Sequence, residues 1–306
     1  MAWNKVLIFV EPDLVMTKDG VLVARHENEI SETTNVAQVF TNKKATKTID
    51  DVVTVGWFTE DFTLAELKTL KAKQRLSFRQ QMSNQPFLIP TLSEIIDAVD
   101  AYNAKSGKHI GIFPEIKHST YFRSIGFNME KALIDLLKEK KWNDKKDQIY
   151  IQSFEVSNLK ELSKMSSYHL VQLIGDPTES PFDLKQNKVT YQNMVTMAGL
   201  KEIRTYAQGI GPFKKYLVKD ADDETIQNKT IAASDFLKNA QLLDFQIVPY
   251  TFRNESFFIL KPLTDPIKEY ELFYSLGIDG LFSDFPDTAV KALKKLESAG
   301  ESSNEL

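Results

Sequence analysis

The sequence predicts an α/β fold, and within that class a (β/α)₈ barrel of the TIM type. Three observations carry this reading. Short β-rich runs alternate with amphipathic helical patterns over most of the chain. Glu11 and Asp13, Glu115 and Lys117, Gln152 and Asp284 all fall at or just beyond the C-terminal ends of different strand candidates. The 306 residues, 42% of them hydrophobic, can bury one sizeable core. Strand–helix–strand alternation implies parallel βαβ units. A closed barrel uses eight strands over roughly 250 residues. Seven candidates are visible here, a number that an open doubly wound sheet could also use. The polar residues decide: barrels gather a site from many strand ends, whereas open sheets concentrate it at one switch point.

The elements follow in order. Lys5 to Met16 reads as the first strand, its apolar run cut by Glu11, too short for a signal peptide. Lys18-Asp19-Gly20 predicts a hairpin turn. Residues 17 to about 90 break the rhythm and read as an insertion, inside which Thr63 and Glu66 form a capping box. A second box, Thr91 and Glu94, opens the helix "TLSEIIDAVDAYNAKSG", and Gly107 closes it. The remaining strand candidates are His109 to Glu115, Gln148 to Gln152, His169 to Ile174, Arg204 to Gln208, Phe245 to Tyr250 and Gly280 to Phe282. "NMEKALIDLLKEKKW" and "DTAVKALKKLES" carry apolar residues at helical spacing. The polar tail "LESAGESSNEL" is expected to fray. No shift in composition marks a linker, so residues 1–306 read as a single domain with an inserted lobe.

Composition narrows the function classes. A net charge of −4 argues against a nucleic-acid surface. With no cysteine there is neither a disulfide framework nor a thiolate metal site. No run approaches the ~18–20 apolar residues of a membrane span.

Glu11 and Asp13 share one strand face, because side chains alternate with period two. Two carboxylates held together repel unless a cation lies between them. Taken alone, Glu-Pro-Asp could equally be an exposed strand end with solvated acids. The second cluster, "FPEIKHS", repeats the pattern with Glu115 and Lys117. Three carboxylates from two strands suit a hard divalent cation, Mg²⁺ or Ca²⁺, and Lys117 would balance an anion bound there, best a phosphate. His26 ends the hairpin that grows from the acid-bearing strand and is placed to move a proton. A structural or exposed place is the expectation for His109 and His169. Strand alternation turns His118 away from Glu115 and Lys117.

The stretch "EPDLVMTKDGVLVARHENEISETTNVA" resembles the signature region of the glycerophosphodiester phosphodiesterase family. The likeness continues in family order through "GWFTEDFTLAELKTLKAKQR", "IPTLSEIID", "PEIKHSTYF", "IQSFE", "VPYTFRNE" and "GIDGLFSDFPDTAV". The resemblance implies a (β/α)₈ barrel with a lobe inserted after its second strand. It implies metal-dependent hydrolysis of a glycerophosphodiester to sn-glycerol 3-phosphate and an alcohol. Glu11, Asp13 and Glu115 match the family's metal carboxylates, with Ca²⁺ or Mg²⁺ as cofactor. His26 matches one of two acid/base histidines, and Lys117 the lysine beside the phosphate. Phe154, Tyr250 and Phe252 match positions that wall the substrate pocket; core packing is the other account of these rings.

One departure stands against this pattern. Family members open with a strand carrying His-Arg-Gly, then a Pro-Glu segment, and neither is in this sequence. Residues 1 to 10 lie where the family has the helix leading into strand two. The expectation is that the first βα unit is missing, by truncation, and that turnover is impaired. The alternatives are a shortened form that binds metal and phosphate without turnover, or a gap filled by another strand. The partners expected are a small glycerophosphodiester and no nucleic acid or membrane span. Localisation is left unknown, because a targeting segment would lie upstream.

Overall fold

A computed structural model of the chain describes residues 8–80, 87–219 and 231–303. The chain falls into two compact units, residues 1–170 and 171–306.

The first unit opens with β1 (Phe9–Val10) and β2 (Asp13–Met16), two pieces of one run parted by Glu11 and Pro12. Residues 9 and 10, where the family pattern has a helix, are strand, as the Lys5 to Met16 candidate expects; Lys5 to Leu7 lie outside the described residues. The Lys18–Gly20 turn leads back antiparallel into β3 (Leu22–Ala24), with Val15 opposite Val23. The inserted lobe follows: α1 (Val36–Val39), the hairpin β4 (Ala45–Ile49) and β5 (Val52–Gly56), and α2 (Leu64–Leu67) behind its Thr63/Glu66 capping box. Glu60 fastens this lobe. Its buried carboxylate accepts from Asn28 Nδ2 at 3.1 Å, Lys47 Nζ at 2.9 Å and Tyr121 Oη at 2.6 Å.

α3 (Leu92–Ser106) begins at the Thr91/Glu94 box and ends at Gly107, whose φ of 68° only glycine adopts without cost. β6 (Gly111–Ile112) and β7 (Glu115–Ile116) are again one run, parted at Phe113 and Pro114. α4 (Ser119–Ser124), α5 (Met129–Glu139), β8 (Tyr150–Ser153) and α6 (Ser157–Met165) complete the unit. α5 buries Met129, Leu133, Ile134 and Leu137, at helical spacing, each worth ~1.5–3 kcal/mol.

The prolines break the strand labels and not the register. Phe9 lies opposite Gly111, Val10 opposite Ile112, Asp13 opposite Glu115 and Leu14 opposite Ile116, one constant offset. A proline lacks only its N–H, and its carbonyl stays in the ladder: Pro12 O accepts from Glu115 N and Pro114 O from Gln152 N, both at 3.0 Å. The next pairing, Glu115 with Gln152, is also parallel.

β9 (His169–Ile174) starts at the end of the first unit, and within the second its residues 171–174 pair with β10 (Gly209–Pro212), which pairs with β11 (Gln246–Ile247), all parallel. Around them stand α7 (Tyr191–Met194), α8 (Met197–Ile203), α9 (Asp235–Leu242), α10 (Pro266–Ser275) and α11 (Pro286–Ser303). The strand expected at Arg204–Gln208 is instead the turn that follows α8, and the strand is Gly209–Pro212. Its two glycines fit a fully buried strand closely: a Cβ on Gly211 would sit 2.5 Å from Leu173 Cδ2, and one on Gly209 2.9 Å from Val171 Cγ2. The candidate at Gly280–Phe282 is an extended segment bonded to Phe252 through Phe252 N to Phe282 O at 2.8 Å. The tail expected to fray is helical to Ser303.

Lys214 is buried after β10, its Nζ 2.7 and 2.8 Å from the Glu269 carboxylate and 2.8 Å from Phe258 O. Burial pulls Lys214 down and Glu269 up, each toward its neutral form, and their mutual attraction opposes both shifts. Lys214→Met leaves Glu269 buried with no counter-charge and is expected to cost ~3–5 kcal/mol in denaturant unfolding. Lys214→Met with Glu269→Gln recovers most of that loss. A single variant as stable as the wild type would show that the pair contributes nothing.

Candidate functional site

The continuous register lays one polar row across the first unit. Arg25 N donates to Asp13 O at 2.9 Å, extending the β2–β3 ladder, so Arg25, Asp13, Glu115 and Gln152 stand level on four adjacent strands. Period two puts Glu11 on the face of Asp13 and Lys117 on that of Glu115. The side chains meet. Ligand atoms of Glu11, Asp13 and Glu115 all lie within 4.8 Å of one another, and among the described residues this is the group suited to hold a metal ion. Gln152 Nε2 donates to Glu11 Oε1 at 2.8 Å, and Lys117 Nζ lies 3.1 Å from Glu115 Oε1.

The electrostatics show crowding by like charge. The Glu11 carboxyl is raised to about 9 by burial, then by Asp13 and Glu115; the residue stays open to solvent, so water screens part of that repulsion. Glu115 is buried and also raised, by desolvation and Asp13, against the pull of Lys117. Burial alone would lower Lys117, but Glu115, Asp13 and Glu27 outweigh it, so Lys117 stays charged. Three carboxylates thus share one buried cation. Gln152 Oε1 is a further buried oxygen with no hydrogen-bond partner. This all-oxygen donor set, short of positive charge, fits a hard divalent cation.

The other expected residues are placed as follows. Phe154 lies under Lys117, its ring centre 5.8 Å from Nζ. His26 is exposed just past β3, its Nδ1 2.9 Å from Glu27 Oε1. Tyr250 and Phe252 belong to the second unit. Tyr250 Oη donates to Ile174 O at 2.8 Å. Phe252 is wholly buried, stacked on Tyr270 at 5.2 Å and edge-on to Phe273 at 5.0 Å, a packing environment with no exposed surface.

Sequence reasoning missed Glu27, Asp50 and His118. Alternation turned His118 away from the site, but β7 ends at Ile116 and His118 takes a left-handed φ of 52°, which ends the period. Its ring lies between two carboxylates, Nε2 2.9 Å from Glu27 Oε2 and Nδ1 2.6 Å from Asp50 Oδ2. Asp50 lies 68 residues from His118, and no local sequence pattern carries the contact.

Comparison with known proteins identifies the family and the fold. The profile of the glycerophosphoryl diester phosphodiesterase family matches residues 5–288. The chain is similar to a glycerophosphodiester phosphodiesterase of Arabidopsis thaliana, GDPD6, at 35% identity over 90% of this chain and 76% of that protein. It is 27% identical to a glycerophosphodiester phosphodiesterase of Haemophilus influenzae, over 94% of this chain and 82% of the relative. Among solved structures, an Oleispira antarctica phosphodiesterase in complex with the product sn-glycerol-3-phosphate aligns with a TM-score of 0.56, at 17% identity, covering 94% of this chain and 85% of that one. A glycerophosphodiester phosphodiesterase of Parabacteroides distasonis aligns at 0.54 and 19%, covering 95% and 84%. At these identities the likeness establishes the fold, the TIM-type barrel class expected from the sequence. No helix among the described residues is long and apolar enough to cross a membrane.

The acid crowding has a measurable consequence for pH. A carboxyl raised from 4.5 toward 9 in the folded state contributes stability below pH 4.5 that is lost as pH rises through the folded value. In chelator-treated protein, Glu11→Gln removes that loss and keeps the acceptor for Gln152. Its Tm is expected to exceed that of the wild type by a margin that widens from pH 5 to pH 8. A margin independent of pH would show that Glu11 is not crowded.

Proposed function

The chain belongs to the glycerophosphoryl diester phosphodiesterase family, and from that membership we propose that it hydrolyses glycerophosphodiesters to sn-glycerol 3-phosphate and an alcohol, with a divalent cation held by Glu11, Asp13 and Glu115. One observation carries the reading: the three carboxylates converge within 4.8 Å beside a buried, charged lysine. That is a site for a cation together with a phosphate. When bound, Ca²⁺ or Mg²⁺ supplies Lewis acidity toward a phosphoryl oxygen.

The side chains supply the rest. Lys117 is fixed by Glu115 and backed by the Phe154 ring, and it neutralises charge on the phosphate. In hydrolysis an oxygen nucleophile bonds to phosphorus, the bond from phosphorus to the alcohol oxygen breaks, and one proton passes from the nucleophile to the departing alkoxide. His26 takes part in that transfer at Nε2, because Nδ1 is engaged by Glu27. The Oleispira antarctica complex with sn-glycerol-3-phosphate supports the product class by similarity of fold.

Titration calorimetry separates the two kinds of residue. Asp13→Asn is expected to weaken Ca²⁺ and Mg²⁺ binding markedly, and equal affinity would remove the proposed centre. His26→Ala is expected to leave cation affinity nearly intact and to lower glycerophosphocholine turnover by ~10²–10⁴-fold. A wild-type chain that binds Ca²⁺ but turns over no diester would be the non-catalytic binder.

A further inference from the structure

Beside the acidic row lies a second polar chain, made of Asp50, His118, Glu27 and His26. It joins three segments remote in sequence. Asp50 and Asp51 form the two-residue turn between β4 and β5, with φ of 49° and 68°. Both are left-handed, as this kind of tight hairpin turn requires, and aspartate tolerates that region. The turn aims the Asp50 carboxylate at His118 Nδ1, 2.6 Å away. On the other side of the same ring, Nε2 lies 2.9 Å from Glu27 Oε2. The second oxygen of Glu27 lies 2.9 Å from His26 Nδ1.

Donor and acceptor roles along this chain follow from charge. Ionised carboxylates only accept. His118 lies between two of them, so it donates from both nitrogens and is an imidazolium. Burial would lower its pKa, but the bonds to Asp50 and Glu27 raise it to about 9. Burial would likewise raise Glu27, yet the bonds from His118 and His26 hold it well below the usual carboxylate range. Glu27 is therefore an acceptor toward His26 as well, and His26 carries its proton on Nδ1. Its Nε2 is the nitrogen not engaged by Glu27.

The gradient of exposure gives the chain a direction. The side chains of His26 and Glu27 are 58% and 51% exposed, whereas that of His118 is 15% exposed. An exposed pair on its own is worth little and wanders. Here its far end is tied to a nearly buried cation, itself pinned by the turn of the inserted lobe.

We propose that His118, held by Asp50, is a positioning residue that acts through Glu27 to fix the orientation and tautomer of His26. The proposal rests on the reading of His26 as the proton-transfer group. It gives the inserted lobe a part in the reaction without contact with the substrate.

The test uses Ca²⁺-loaded full chain with glycerophosphocholine, and ¹⁵N spectra of the His26 ring. His118→Gln is expected to lower kcat by about tenfold to a hundredfold, comparable to losing a partner that orients a metal-ligating imidazole, with KM little changed. The His26 ring nitrogens should shift from the Nδ1–H pattern toward the Nε2–H form. Asp50→Asn tolerates the same turn and should give a smaller change in the same direction, which serves if His118→Gln folds poorly. In the His26→Ala background, adding His118→Gln should leave kcat within about twofold, because coupled residues are non-additive. An unmoved His26 spectrum, or an equal loss of kcat in both backgrounds, makes His118 merely structural and overturns the proposal. If His26→Ala retains full turnover, the parent reading of His26 falls and the proposal with it. If His26→Ala is inactive while the His26 spectrum ignores His118→Gln, the positioning role alone is lost.

Discussion

The candidate site depends on one constraint, the parallel register between residues 9–16 and 111–116. Asp13 faces Glu115, and Glu115 faces Gln152, because the ladder keeps one offset through Pro12 and Pro114. A slip of one residue would send every second side chain to the other face. Glu115 would then leave Asp13, and the cluster would scatter. Each proline sits where the chain can spare an N–H, and its carbonyl still accepts. The carboxylates on either side of Pro12 are thus placed by the backbone, and Gln152 Nε2 steadies Glu11.

That arrangement works against the stability of the cation-free chain. Three acids crowd one lysine, and the charged forms of Glu11 and Glu115 are disfavoured by burial and by neighbouring carboxylates, Asp13 foremost. A fold optimised for stability alone would have neutralised one of them. The second unit shows what balance looks like: Lys214 and Glu269 are matched one to one, with their remaining hydrogen-bonding capacity met by Phe258 O and Leu260 N. The difference between a paired ion and an excess of acids is what singles out the first cluster as the proposed cation site.

Much of this was legible in the sequence, for local reasons. Period two alone put Glu11 with Asp13 and Glu115 with Lys117. The capping boxes at Thr63 and Thr91 and the hairpin at Lys18–Gly20 are short-range signals, and the structure contains all of them. The misses have physical causes. The strand expected at Arg204–Gln208 stands at Gly209–Pro212, because its glycines answer to Val171 and Leu173 on the neighbouring strand, which no local pattern contains. His118 left the expected face because its backbone turns left-handed. The partnership of Asp50, His118 and Glu27 spans three segments and could not be read from any one of them. Phe252 looked like a pocket wall, but the rings that enclose it come from α10.

The close fit of Gly209 and Gly211 also bears on how this sequence can change over evolutionary time. A methyl group at either position meets an aliphatic side chain on β9 at less than normal contact distance. Alanine at position 211 needs Leu173 to swing Cδ2 aside within a packed interior, and alanine at 209 needs Val171 to give way while Gln246 O stands 3.1 Å off. Replacement is cheaper once the neighbour has shrunk, and a shrunken neighbour beside an intact glycine leaves a cavity. That path crosses a less stable intermediate. These two glycines are held in place by the difficulty of the route away from them as much as by the strand they form.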